Sequence, residues 1–260
     1  MLRLFTTLYP EKNTARMAEY QECLRRNLEA AVVREVCILS ENAEAYLPSH
    51  PKLRVRKVAR RPWYDELFAW VNELAGAKDF SVLANTDVWF DDGLRQIEVV
   101  DWSQRTVLAV SRWDVLENGK NRLFEYGDSQ DCWIVRGTIQ GVQGNFPIGV
   151  YDCDNKIAWE FAQAGYIVVN PALSLRTYHL HLCGYRSYKE APAPDYGIRP
   201  PFRYEEPDNL WGPYRAWQVQ RQLRLPYFPW RMTTKRFWRF RIPALARRAW
   251  NKALRELGKS

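Results

Sequence analysis

Short apolar runs alternate with amphipathic stretches of helical length through the first 190 residues of this 260-residue chain. Residues 2–8 (LRLFTTL) read as a strand. Residues 14–30 place Met17, Tyr20, Leu24 and Leu28 on one helical face, at steps of three and four. Residues 32–39 form a second strand of β-branched character, and Leu53 and Val55 alternate with Arg54 and Arg56 as in a short, partly exposed strand. Pro62 then opens a helix to residue 75, with Leu67, Phe68, Val71 and Leu74 inward. Proline suits the first turn because the N–H it lacks has no intrahelical partner there. Residues 80–84 (FSVLA) are the next strand. Strands separated by helices need crossover connections, so the fold class expected is α/β, a mostly parallel sheet flanked by helices. Ligands of such sheets gather beyond the carboxyl ends of the strands.

The pattern continues with a short helix from residue 92, a strand at 106–111 and a polar loop over 117–131 that leads into a strand at 132–135. A helix at 154–164 and strands at 167–169 and 173–179 follow. Proline becomes dense beyond residue 191. This places a catalytic domain at 1–190 and a Pro-rich connection with a C-terminal extension at 191–260. No internal repeat is present.

The net charge of +8 is unevenly divided, since residues 211–260 hold 13 of the 38 Lys and Arg against one acid, Glu256. That segment is therefore +12 and the remainder −4. It also carries Trp211, Trp217, Trp230, Trp238 and Trp250. Amphipathic rings settle at a membrane interface while basic groups meet anionic lipid, so the extension is expected to attach the protein to an anionic membrane surface. The competing expectation is a helix packed on the catalytic domain. Nucleic acid is disfavoured as a partner because no recognised nucleic-acid motif accompanies the basic residues. No apolar stretch approaches the roughly 18 residues needed to cross a bilayer. The five cysteines are odd in number, and none is in CxxC spacing. That fits a reducing cytoplasm, with peripheral attachment to the inner face of the membrane.

The segment with the clearest chemistry is Asn85-Thr86-Asp87, which ends the strand at 80–84. A carboxylate presented at a strand end can hold a divalent metal bound to a diphosphate, because hard oxygen ligands suit Mg²⁺ and Mn²⁺. Asp87 is the candidate metal ligand, while Asn85 can hydrogen-bond a ribose or phosphate without adding charge. His179 and His181 stand two residues apart at a late strand end. On an extended chain their rings share a face. Asp131 and Asp154 belong to two further acidic clusters and are the candidate catalytic carboxylates, able to act as general base or to stabilise positive charge. Each also has a plain structural role available, Asp154 as a helix N-cap and Asp131 as the close of a polar loop. Arg112-Trp113-Asp114 ends another strand and can support a pocket or simply pack.

The succession FTTLY, RRPWYDE, LANTDVWFDD, AVSRWD, GDSQDCWIV and GVYDCDNKIAWEFAQAGYIVVNPALSLRTYHLH resembles bacterial and viral GT-A glycosyltransferases over roughly residues 1–190. These often occur as modules of larger polysaccharide-building proteins. The resemblance implies a nucleotide-diphospho-sugar transferase fold with Asn85, Thr86 and Asp87 in the DxD role. It also implies a late histidine completing the coordination of Mn²⁺ or Mg²⁺. Asn85 departs from the first Asp of that motif, which leaves Asp87 as the early carboxylate. Thr6, Thr7 and Tyr9 would border the nucleobase and ribose, with Arg60, Arg61 and Tyr64 nearby to pair with phosphate or stack. The expected function is transfer of a sugar from a UDP- or GDP-sugar to a saccharide or lipid-linked glycan. A metal-dependent phosphoesterase and a non-catalytic glycan- or membrane-binding module are the rivals.

Overall fold

The structure is a computed structural model in which residues 1–185 and 195–210 are described. Its strands, in chain order, are β1 (Leu2–Leu8), β2 (Glu35–Glu41), β3 (Leu53–Val58), β4 (Phe80–Ala84), β5 (Val88–Trp89) and β6 (Thr106–Val110). They continue with β7 (Arg112–Val115), β8 (Asn121–Leu123), β9 (Cys132–Arg136), β10 (Ile167–Val169) and β11 (Thr177–His179). The helices are α1 (Thr14–Glu29), α2 (Tyr64–Leu74) and α3 (Cys153–Gln163).

Seven strands form the central sheet in the order β10-β6-β9-β4-β1-β2-β3, and every pairing is parallel except the two made by β9. This is the mostly parallel α/β architecture that the alternation predicts. The reversed strand matters for the site. Because β9 runs against its neighbours, its first residue, Cys132, pairs with Ala84 and Val110 at the carboxyl ends of β4 and β6. Asp131 is thereby delivered beside Asn85, whose N–H it accepts at 3.0 Å through its backbone carbonyl.

A second sheet, β5-β11-β7-β8, has no counterpart in the sequence expectations. Three of its four strands, β5, β8 and β11, have only two or three residues, too short to show a period, and β8 lies inside the loop expected at 117–131. Its register sets His179 opposite both Val88 and Asp114. The strand expected over 173–179 shortens to its last three residues because Ser174 and Leu175 donate to the Pro171 carbonyl at 2.8 and 2.9 Å, forming a turn. Similarly, β2 starts at Glu35 because Val33 turns back to the Ala30 carbonyl at 3.2 Å. The short helix from residue 92 is a 3₁₀ helix, Asp92–Val99, capped by the Asp91 carboxylate.

Residues 203–210 lie against the same body: the N–H groups of Arg203, Glu205 and Asp208 donate to the carbonyls of Asn155, Gly127 and Asn170 at 3.0, 3.0 and 2.6 Å. The basic, Trp-rich segment 211–260 lies outside the described residues. Among the described residues no helix is long and apolar enough to cross a membrane.

The core between the sheet and helices α2 and α3 is unusually aromatic at Tyr64, which meets Trp133 edge-on at 5.7 Å and packs on Phe68 and Phe146. Tyr64 is 1% exposed, and its hydroxyl lies 3.8 Å from the Cys153 thiol. Truncating so enclosed a ring leaves a cavity that the sheet cannot collapse to fill. Tyr64→Ala should lower the unfolding free energy by about 3–5 kcal/mol. Tyr64→Phe should lower it by under about 1.5 kcal/mol. Urea titrations of the three proteins check both.

Candidate functional site

A cleft of about 700 Å³ opens at the carboxyl ends of the central strands, and Asp87 lies in its floor. Asp87 follows β4 and precedes β5, so it stands where the two sheets meet. Its carboxylate is ion-paired to the Arg16 guanidinium and lies 3.1 Å from His179 Nε2. The other ring nitrogen of His179 is 3.0 Å from the Asp114 carboxylate, which Arg112 holds at 2.9 Å. Arg112 also reaches Ser129 at 2.6 Å and Asp131 at 3.4 Å, and Asn85 Nδ2 donates to Asp131 at 2.8 Å. The result is a chain of alternating charge, Arg16–Asp87–His179–Asp114–Arg112–Asp131, running along the cleft.

Electrostatics follow from that order. Burial alone would raise Asp87, but His179 and Arg16 hold its carboxyl well below the usual range. Burial alone would lower His179, but Asp87 and Asp114 push the imidazole up to about 9. Asp154, in the first turn of α3, moves the other way: burial first and the Asp131 carboxylate second push it up to about 7. The N-cap of α3 is Asp152 rather than Asp154, which frees the Asp154 carboxyl from a capping role.

Asp87, His179 and His181 each offer one ligand atom, all within 4.8 Å of one another. Ligand atoms bound at ~2.1 Å to one ion sit at most about 4.2 Å apart, so small rotations suffice to close the group on a cation. Two features of the donor set fit a metal. The Asp114 carboxylate on Nδ1 of His179 is the outer partner that orients a ligating imidazole and directs Nε2 inward. His181 Nε2 lies 2.8 Å from the Tyr185 carbonyl, so it carries the proton and Nδ1 keeps a lone pair.

Helix α1 fastens the loop that bears these histidines. Arg16 donates to the Leu180 carbonyl at 2.8 Å, and the Glu19 carboxylate accepts the N–H groups of Leu182 and Cys183 at 2.6 and 2.8 Å. Neither residue stands out in the sequence, where Arg16 and Glu19 look like an ordinary i,i+3 helix pair. Their burial, 6% and 9% exposed, distinguishes them. Arg112 and Asp114 do appear in the RWD motif, but only the register of β11 on β7 makes them partners of His179.

Of the residues singled out in the sequence, the cleft gathers Thr7, Tyr9, Arg61, Asn85, Thr86, Asp87, Asp131, Asp154, His179 and His181. Thr86 Oγ1 donates to the Thr7 carbonyl at 2.9 Å, tying the end of β1 to the turn after β4. The Arg61 guanidinium lies 4.9 Å over the Tyr9 ring. Three residues are not brought there. Thr6 points into the packed face of β1, 8% exposed, because neighbours on a strand alternate sides. Arg60 faces outward to pair with Glu66 at 2.9 Å. Tyr64 is core, as described above.

No protein-family model matches the chain, and no curated protein matches it. Solved structures do. The mannosyltransferase PcManGT from Pyrobaculum calidifontis, in complex with GDP-Man and Mn²⁺, is 14% identical over 73% of this chain and 59% of its own, at a TM-score of 0.47. S. aureus TarS 1–349 is 12% identical over 69% of this chain and 60% of its own, at a TM-score of 0.41. The galactosyltransferase LgtC, in complex with donor and acceptor sugar analogs, is 14% identical over 52% and 57%, at 0.32. The chain thus spans about three-fifths of the length of the structures it is similar to.

Because His179 titrates higher here than the ordinary imidazole near 6.5, its charged form stabilises the metal-free fold fully below that value, and the contribution is lost as pH rises through about 9. The unfolding free energy of the metal-free protein should fall across this window, and His179→Asn should flatten the decline. Denaturant titrations of both proteins at pH 6, 7.5 and 9 check the difference.

Proposed function

We propose that the chain is a metal-dependent glycosyltransferase that moves a sugar from a UDP- or GDP-sugar to a saccharide or lipid-linked glycan. The observation that carries this reading is the convergence of Asp87, His179 and His181 at the carboxyl ends of a parallel sheet, in a cleft that also holds Arg61 and Arg112. One carboxylate with two imidazoles suits Mn²⁺ better than Mg²⁺, which prefers oxygen throughout. When bound, the ion would neutralise charge on the diphosphate leaving group.

The remaining roles belong to this chain's own side chains. Arg61, stacked on Tyr9, can pair with a phosphate while the Tyr9 ring borders the nucleotide. Asn85 gives its amide N–H to Asp131, and its Oδ1, which has no partner among the described residues, can accept from a ribose hydroxyl. Asp154 titrates near neutrality, where a carboxylate is most effective at taking a proton from an attacking hydroxyl. Asp131, held by Asn85 and Arg112, raises Asp154 and fixes its setting rather than meeting the acceptor. The basic extension 211–260 would keep the enzyme at an anionic membrane, where lipid-linked acceptors reside.

A phosphoesterase would need two metals a few ångströms apart. Among the described residues a single group of three such ligands occurs, which favours the transferase. The test is a thermal-shift series with UDP-, GDP- and CMP-sugars, with and without Mn²⁺. A donor at about 100 times its dissociation constant should stabilise the protein by roughly 2.7 kcal/mol, only when Mn²⁺ is present. Asp87→Ala, in which Arg16 keeps Glu19 as its ion-pair partner, should fold with reduced stability and lose this response. A folded Asp87→Ala protein with undiminished Mn²⁺-dependent donor affinity would remove Asp87 from the centre.

A further inference from the structure

The wall of the cleft around Asp154 displays tyrosines to solvent. Tyr151, Tyr204 and Tyr196 line it and are 81%, 48% and 39% exposed. A single exposed aromatic is ordinary on a protein surface. Three converging on one cleft, two of them held out by specific backbone devices, are not.

Tyr151 stands between Gly149 and Asp152, at φ of 69° and 64°. Both are in the left-handed region, which a non-glycine residue such as Asp152 rarely adopts. These two turns bracket Tyr151 where the chain enters α3, and the ring between them is left exposed on the cleft wall. Tyr204 is projected differently. Arg203 and Glu205 on either side of it are pinned by their N–H groups to Asn155 and Gly127, at 3.0 Å each, and their side chains are ion-paired to one another. Glu205 is 3% exposed, so the extended segment sends the residue between them to the opposite side, into the cleft. The close approach depends on Gly127, where a Cβ would lie 3.0 Å from the Glu205 backbone.

The same cleft is lined by Asn155, 5% exposed, which gives its amide N–H to the Asp128 carbonyl at 3.2 Å and whose Oδ1 has no partner among the described residues. Aromatic faces are electron-rich, a carbonyl oxygen accepts hydrogen bonds, and Asp128 and Asp152 add negative charge. This combination repels an anionic headgroup. It suits a neutral pyranose, whose C–H face meets a ring while its hydroxyls donate to oxygen.

We infer that Tyr151 and Tyr204 form a stacking platform that takes the acceptor as a glycan of at least two pyranose residues. The inference rests on the transferase reading and specifies its acceptor side. The full chain would be titrated, by saturation-transfer NMR, with glucose, N-acetylglucosamine and mannose as monosaccharides and as their linear di-, tri- and tetrasaccharides. For at least one sugar, the trisaccharide should bind at least about tenfold more tightly than the monosaccharide. Tyr151→Ala and Tyr204→Ala should each weaken the trisaccharide about tenfold, and the Phe variants should retain it. Binding of Mn²⁺ with UDP or GDP should be unchanged in all four. Equal affinity for monosaccharide and trisaccharide, unchanged binding in both Ala variants, or failure of every saccharide to bind overturns the platform. So does loss of adsorption to phosphatidylglycerol vesicles in place of saccharide binding. Failure of the transferase reading would appear separately, as wild-type protein that binds no nucleotide with Mn²⁺.

Discussion

The Asp87 carboxylate is half-buried where helix α1, β5 and the end of β11 meet, and it stays charged because Arg16 and His179 both face it. An uncompensated charge in that position would be strongly destabilising, so the three groups constrain one another. Arg16 belongs to α1, Asp87 to the turn after β4 and His179 to β11. Their mutual neutralisation therefore joins parts of the chain up to 163 residues apart, a separation set by Arg16 and His179. From His179 the alternation continues through Asp114 and Arg112 to Asp131, so the central and second sheets share one electrostatic network.

That network also sets what a ligand meets. A divalent cation at Asp87 would replace the positive charge that Arg16 and protonated His179 now supply. Its binding should therefore compete with a proton on His179. Asp154 is tuned the other way, since burial first and the Asp131 carboxylate second make it reluctant to ionise. One end of the cleft thus favours anionic groups and metal, and the other favours neutral groups that can surrender a proton. This polarity matches the two halves of a transfer reaction between a phosphorylated donor and a hydroxyl acceptor.

Much of the central sheet is legible in the sequence because its strands are long enough to show β-branched runs and its helices to show three-four periodicity. β1, α1, α2 and β4 are read within a few residues. Asp87 is legible for a related reason, since the apolar strand β4 gives way at residue 84 to Asn85-Thr86-Asp87, and the histidines are legible from their spacing of two residues at a strand end. The second sheet is invisible because Val88–Trp89 and Asn121–Leu123 have no period to detect. With it goes the importance of Arg112 and Asp114, whose partners are chosen by strand register. Arg16 and Glu19 are hidden by the opposite effect: a buried ion pair on a helix has the same spacing as an exposed one. The resemblance implies a place for Tyr64 near the nucleotide, whereas the ring fills the space between α2, β9 and α3.

The proposed transferase site requires Asp87, His179 and His181 together to hold the cation of a bound nucleotide sugar. Pulsed electron paramagnetic resonance of Mn²⁺, added with GDP and separately with UDP, tests it most directly, because imidazole nitrogen bound to the ion modulates the echo. Nitrogen modulation is expected in the wild-type ternary complex, weaker in His179→Ala and gone in the His179→Ala, His181→Ala double variant. Mn²⁺ bound with nucleotide but showing no imidazole nitrogen in the wild-type protein would contradict it.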